Sequence, residues 1–219
     1  MSKSLYDFTN EIIKLPIRVG SITPAQQQFL FTFLNTNREI KTVLETGFHI
    51  GLSAATIMDV RTDITTISFD IFWFDYTRKA KLILDKYYPG RNLLLAGNSV
   101  INIPQFFNCF SNYKPDLVFI DGGHERPVPF LDMHIIFNNI VAGTWIIIDD
   151  YCEEHGCHGV NEAVDEYIKN NIIEVCNIFK HDDRGWILAK RTSIPVPYSP
   201  LREEANMLNL LKDIESHYS

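Results

Sequence analysis

The chain has 219 residues, 46% of them apolar, a net charge of −7 and four cysteines. That length buries one substantial core and leaves no room for a second catalytic domain, while the acidic balance supplies no general attraction to nucleic acid or an anionic membrane. Residues 1–20 lack a basic start and an apolar run, no apolar stretch approaches the ~20 residues that span a bilayer, and the cysteines are too few for a disulfide scaffold. The expectation is a cytoplasmic protein acting on a small-molecule substrate, with neither nucleic acid nor membrane as partner.

The first segment is amphipathic, with Leu5, Phe8, Ile12 and Ile13 closed off by Leu15-Pro16. Thr23-Pro24 then opens a stronger helix whose apolar face is Phe29, Leu30, Phe33 and Leu34. Residues 1–40 thus form a helical cover, placed either across the mouth of the glycine turn near residue 50 or over a sheet edge.

Thr42-Val43-Leu44 is a buried strand with Glu45 at its carboxyl end, and Gly47 and Gly51 bracket a tight turn into a helix over Ser53–Met58. Glycine lets a ligand approach the backbone, and the free N–H groups of the helix start favour an anion. The spacing is neither that of a dinucleotide fingerprint nor that of a phosphate-cradling Gly-Lys-Ser/Thr, so the anion expected here is a carboxylate rather than a pyrophosphate.

Four further strands are expected: Thr65–Phe69 ending at Asp70, Asn92–Ala96 running into Gly97-Asn98-Ser99, Pro115–Ile120 ending at Asp121-Gly122-Gly123-His124, and Thr144–Ile148 ending at Asp149-Asp150. Helices are expected over Thr77–Tyr88, Val100–Phe110 bent or shortened by Pro104, Pro127–Ile140 and Val160–Asn170. Glu174–Phe179 and Trp186–Lys190 make a final strand pair. After a proline-rich stretch, Leu201–His217 reads as a helix with Leu208, Leu211 and Ile214 on one stripe, docking on its own domain or forming a homodimer contact. Strands alternating with helices predict a Rossmann-like, doubly wound α/β fold over residues 41–192. It has a mostly parallel seven-stranded sheet, an antiparallel last strand and helices on both faces. Ligands then sit at the carboxyl ends of the strands, where Glu45, Asp70, Asn98, Asp121, Asp149 and Asp150 all fall.

With these residues laid out, the chain resembles the class I S-adenosylmethionine-dependent methyltransferases over roughly Val43–Arg191, and among them the metal-dependent catechol-type and macrocin-type O-methyltransferases. The resemblance implies that Glu45, Gly47, Gly51, Ser53 and Ala54 hold the methionine end of the cofactor. It also implies that His49 lies near the cofactor carboxylate, Asp70 holds the ribose, Ile71 lies beside adenine, and Asn98-Ser99 contact the adenine edge. Asp121, which also borders the cofactor, is expected to bind Mg²⁺ or another divalent cation together with Asp149 and Asp150; carboxylate oxygens suit such an ion, which acidifies a bound hydroxyl. The catechol enzymes have asparagine where this chain has Asp150, and a lysine base three residues after the first aspartate where this chain has His124. The implied activity is O-methylation of a small hydroxylated substrate, with Asp121 and His124 as the catalytic pair. The alternative is a catalytically silent cofactor-binding protein with a structural or regulatory role. His124 has further readings as a metal ligand or a turn-stabilising residue.

Two stretches stand outside this scheme. Phe72-Trp73-Phe74 offers a stacking platform or a packing surface. Cys152-Glu-Glu-His155-Gly-Cys157-His158 collects zinc-ligand residue types without any regular zinc spacing, and reads as a covering or substrate-facing loop.

Overall fold

The computed structural model describes residues 2–17, 21–152, 157–181 and 184–197. Its elements in chain order are α1 Lys3–Ile12, α2 Pro24–Thr36, β1 Thr42–Thr46, α3 Leu52–Val60, β2 Thr65–Asp70, α4 Tyr76–Tyr87, β3 Asn92–Ala96, α5 Ser99–Cys109, β4 Leu117–Ile120, α6 Val128–Asn139, β5 Trp145–Asp149, α7 His158–Lys169, β6 Ile173–His181 and β7 Arg184–Arg191. Among the described residues no helix is long and apolar enough to cross a membrane.

The seven strands form one sheet in the order β3-β2-β1-β4-β5-β7-β6. The first five pair in parallel, and β7 inserts between β5 and β6 antiparallel to both. The expected α/β fold with its antiparallel last strand is therefore the observed one. Strand order reverses between β1 and β4, and the crevice that this reversal opens lies at the carboxyl ends of the parallel strands.

Period-two alternation sorts the strand side chains onto two faces. Leu44, Val118, Ile120, Ile146 and Ile148 point to the face covered by α5, α6 and α7, where they join Ile103, Phe137 and Val164. Val43, Leu117, Phe119 and Ile147 point to the other face, against Leu30, Leu34 and Ile57. A further cluster of Leu5, Phe8, Ala54, Ala55, Ala80 and Leu84 ties α1 to α3 and α4. On α2, Phe29 packs on Phe179 with ring centroids 4.6 Å apart, and Phe33 meets Trp145 edge-on at 5.1 Å. The N-terminal helices are thus part of the core on this face.

Local differences from the sequence reading have local causes. The fourth strand starts at Leu117 rather than Pro115, because the Asp116 carboxylate is turned to accept the backbone N–H groups of Lys41 and Thr42, each at 2.9 Å. Pro104 sits in the second turn of α5, which stays helical through it and loses only the bond to the Val100 carbonyl. The helix expected over Leu201–His217 lies outside the described residues, as do Asp182, Asp183 and His155.

Candidate active site

β1 ends in a turn that only glycine permits. Gly47 has φ +84°, and a Cβ there would lie 1.7 Å from the Asp121 carbonyl oxygen, so the β1 and β4 turns touch backbone to backbone. Gly51, at φ +73°, caps α3 under the Phe48 ring. Between them His49 adopts φ +49°; its Nε2 lies 2.8 Å from the Tyr76 hydroxyl, and burial lowers its pKa. Asp70, at the end of β2, accepts the backbone N–H groups of Phe48 at 3.0 Å and His49 at 2.7 Å on one oxygen, and that of Phe72 at 2.6 Å on the other. One carboxylate therefore fixes both loops of the crevice, and the oxygen that accepts only Phe72 keeps a lone pair for a ligand.

Glu45 lies below this floor. It pairs in register with Ser68 and points toward α3, so its carboxylate accepts from the Ser53 hydroxyl and, at 2.6 Å, from the Ser68 hydroxyl. The residue is fully buried and does not line the crevice; desolvation raises its pKa to about 7. The alternation that buries Val43 sends Glu45 to the same side.

A cavity of about 620 Å³ opens over these turns, within the ~300–1,000 Å³ range of small-molecule sites. Its wall includes Gly47, His49, Ser53, Asp70, Ile71, Asn98 and Ser99 together with Asp121, His124, Asp149 and Asp150. Asn98 caps α5, accepting the Val100 N–H at 3.0 Å, and Ser99 donates to Asp132 at 2.7 Å.

Carboxylate oxygens of Asp121, Asp149 and Asp150 lie within 4.8 Å of one another. Burial first, and then Asp149 and Asp150, push Asp121 well up from the ordinary carboxylate range. Asp149 rises to about 6 for the same reasons, opposed by two donors on its Oδ1: the Gln26 side chain at 2.5 Å and the Asp150 N–H at 2.9 Å. Burial also pushes Asp150 upward, but its polar partners outweigh that and hold it below the usual value: His124 Nε2 at 2.7 Å from one oxygen and Arg184 Nη1 at 2.9 Å from the other. The same contact raises His124 above an ordinary histidine, against the effect of its burial.

The arrangement fits a hard cation. Among the described residues no donor meets the Asp121 carboxylate, Asp149 has an oxygen to spare, and each Asp150 oxygen keeps a second lone pair. Three neighbouring carboxylates, two of them shifted upward by proximity and burial, form a negative cluster that a divalent ion relieves.

Three residues of the site escape a sequence reading. Asp132 from inside α6 and Arg184 from the start of β7 line the cavity, and the buried Gln26 of α2 reaches Asp149 behind its wall, each through tertiary packing. Asp132 is 1% exposed, with its pKa raised to about 7 by desolvation. A polar residue on an otherwise apolar helix face was the available signal.

Fold and crevice together define a Rossmann-like α/β domain with its ligand site at the carboxyl ends of the parallel strands. Residues 44–151 match the family described as a methyltransferase domain. No curated protein matches the chain. Among solved structures, the chain is similar to an O-methyltransferase from Bacillus cereus in complex with SAH, at 15% identity and TM-score 0.70 over 88% of this chain and 92% of that one. It is similar to SAH-bound PaMTH1 from Podospora anserina at 14% identity and TM-score 0.71, over 88% and 89% of the two chains. The O-methyltransferase TomG from Streptomyces achromogenes, in complex with SAM, aligns at 15% identity and TM-score 0.68 over 88% and 91%.

Proposed function

We propose that the chain transfers a methyl group from S-adenosylmethionine to a hydroxyl of a small substrate, with a divalent cation held by Asp121, Asp149 and Asp150. The observation that carries this reading is one cavity bordered by both the glycine-turn residues and the acid cluster with His124. A SAH-bound and a SAM-bound O-methyltransferase of the same fold support it.

The cofactor supplies an electrophilic sulfonium methyl, and the cation, when bound, acidifies a substrate hydroxyl. Asp70 offers its remaining lone pair, on Oδ1, to a ribose hydroxyl. The Gly47–Gly51 turn presents backbone to the methionine end, and Ser53 and His49 flank it. Asn98 and Ser99 border the place of the adenine. Glu45 supports this floor from below through Ser53 and Ser68. Nε2 of His124 donates to Asp150, so the hydroxyl proton goes to the other ring nitrogen, Nδ1, and Asp150 stabilises the imidazolium that results. Alignment of nucleophile and methyl group does most of the remaining work in such a displacement.

Calorimetric titration of S-adenosylhomocysteine with and without Mg²⁺, followed by a screen of hydroxylated acceptors with and without EDTA, tests the reading. The expected result is cofactor binding in both conditions and transfer only without chelator. Undiminished transfer in EDTA removes the cation from the mechanism. Binding without transfer to any acceptor favours a catalytically silent protein, and absence of binding overturns the proposal.

A further inference from the structure

We propose that His124, Asp150 and Cys157 form a second metal site, for a zinc-class ion, beside the acid pair of Asp121 and Asp149. An imidazole nitrogen, a carboxylate oxygen and the thiol sulfur of these three residues lie within 4.8 Å of one another. They come from three places in the fold: the turn after β4, the end of β5 and the N-cap of α7. Asp150 and Cys157 are each 2% exposed, whereas the His124 side chain is 42% exposed and borders the cavity, which gives an ion its way in.

Donor chemistry separates this site from its neighbour. A nitrogen, a sulfur and one carboxylate oxygen select a borderline-soft ion such as Zn²⁺, whereas the all-oxygen set of the three aspartates favours Mg²⁺. Arg184 occupies Oδ1 of Asp150, so the oxygen offered to the ion is Oδ2, which already faces Nε2 at 2.7 Å. Two donors on one tetrahedral zinc lie roughly 3.3 Å apart, so this pair opens by about half an ångström to admit it. Three protein ligands leave a fourth position for water. Binding converts the Cys157 thiol to thiolate and releases its proton to solvent, and the Nε2 lone pair becomes a ligand.

The two sites then oppose each other. This consequence rests on the proposed role of His124: an ion on Nε2 holds the ring's remaining proton on Nδ1, which then has no lone pair for the acceptor's proton. Zn²⁺ therefore inhibits where Mg²⁺ supports transfer.

Titration of the metal-free full chain with Co²⁺, as a spectroscopic stand-in for Zn²⁺, tests the site without turnover. One equivalent is expected to give a thiolate-to-cobalt charge-transfer band that Zn²⁺ displaces, and the band persists in Asp121→Asn. It disappears in Cys157→Ser, and affinity falls at least tenfold in His124→Ala, a half-exposed position whose truncation leaves the fold in place. Absence of the band in the wild type overturns the site; so does a band that survives Cys157→Ser, or an affinity unchanged in His124→Ala. The signal needs neither cofactor nor acceptor, so its failure is distinct from failure of the methyltransferase reading.

Discussion

Gln26 Nε2 donates to Asp149 Oδ1 at 2.5 Å, across 123 positions of sequence. The same side chain closes the capping box of α2, its Oε1 accepting the Thr23 N–H at 2.7 Å. The start of an N-terminal helix and one carboxylate of the acid cluster are therefore set by one amide.

Removing that amide leaves a buried carboxylate short of a donor and a helix short of half its cap. Gln26→Ala is expected to lower stability by about 1–3 kcal/mol. Gln26→Glu is expected to be worse, because it sets a fourth negative charge against Asp149. Thermal melts at neutral pH compare the two; equal stability of wild type and Gln26→Ala contradicts the prediction.

Asp121→Asn relieves like-charge repulsion without changing shape. In EDTA the variant is expected to be more stable than the parent by on the order of 1 kcal/mol. It should also lose any Mg²⁺-dependent transfer while binding S-adenosylhomocysteine as before. Melting in chelator and one calorimetric titration check both statements.

His124 can accept a proton only as neutral imidazole, and its contact with Asp150 moves that condition to higher pH. Transfer is expected to rise with pH through a midpoint above 6.5, and His124→Ala to lower the plateau by about 10²-fold or more. Asp150→Asn removes the contact and should move the midpoint downward. A pH–rate profile that His124→Ala leaves unchanged removes the histidine as the base.

Glu45 titrates near pH 7 in the folded chain, against 4.5 as its ordinary value. Its folded form holds the proton more tightly than the unfolded form, so stability from this group declines as pH rises from about 4.5 to about 7. Glu45→Gln keeps the size of the side chain and hydrogen-bonding partners for Ser53 and Ser68. It is expected to match the wild type near pH 4 and to exceed it at pH 8 by on the order of 2–3 kcal/mol. Asp132, raised for the same reason, leaves part of the slope in place. Parallel stability profiles of the two proteins would refute the assignment.

The sheet, its single antiparallel strand and the acidic strand ends were legible because apolar periodicity and glycine turns are local signals. The direction of a side chain at a strand end is not one of them. Glu45 and Asp70 look alike in sequence, yet register with Ser68 turns the first under the floor, while loop amides hold the second at the crevice wall. Gln26 closes the capping box of α2, and nothing nearby in sequence reveals that it reaches β5. Arg184 follows the stretch 182–183 and faces Asp150 only because β7 lies antiparallel beside β5. Cys157 joins His124 by the same kind of long-range closure.

Asp70 and Asp121 would fare differently in a lineage that stopped using its chemistry. Asp70 anchors three loop amides, so selection for folding alone keeps it. Asp121 is crowded by two other carboxylates and has no donor of its own among the described residues. Drift under selection for stability would replace it first. Asparagine at this position in a descendant would mark a retired enzyme.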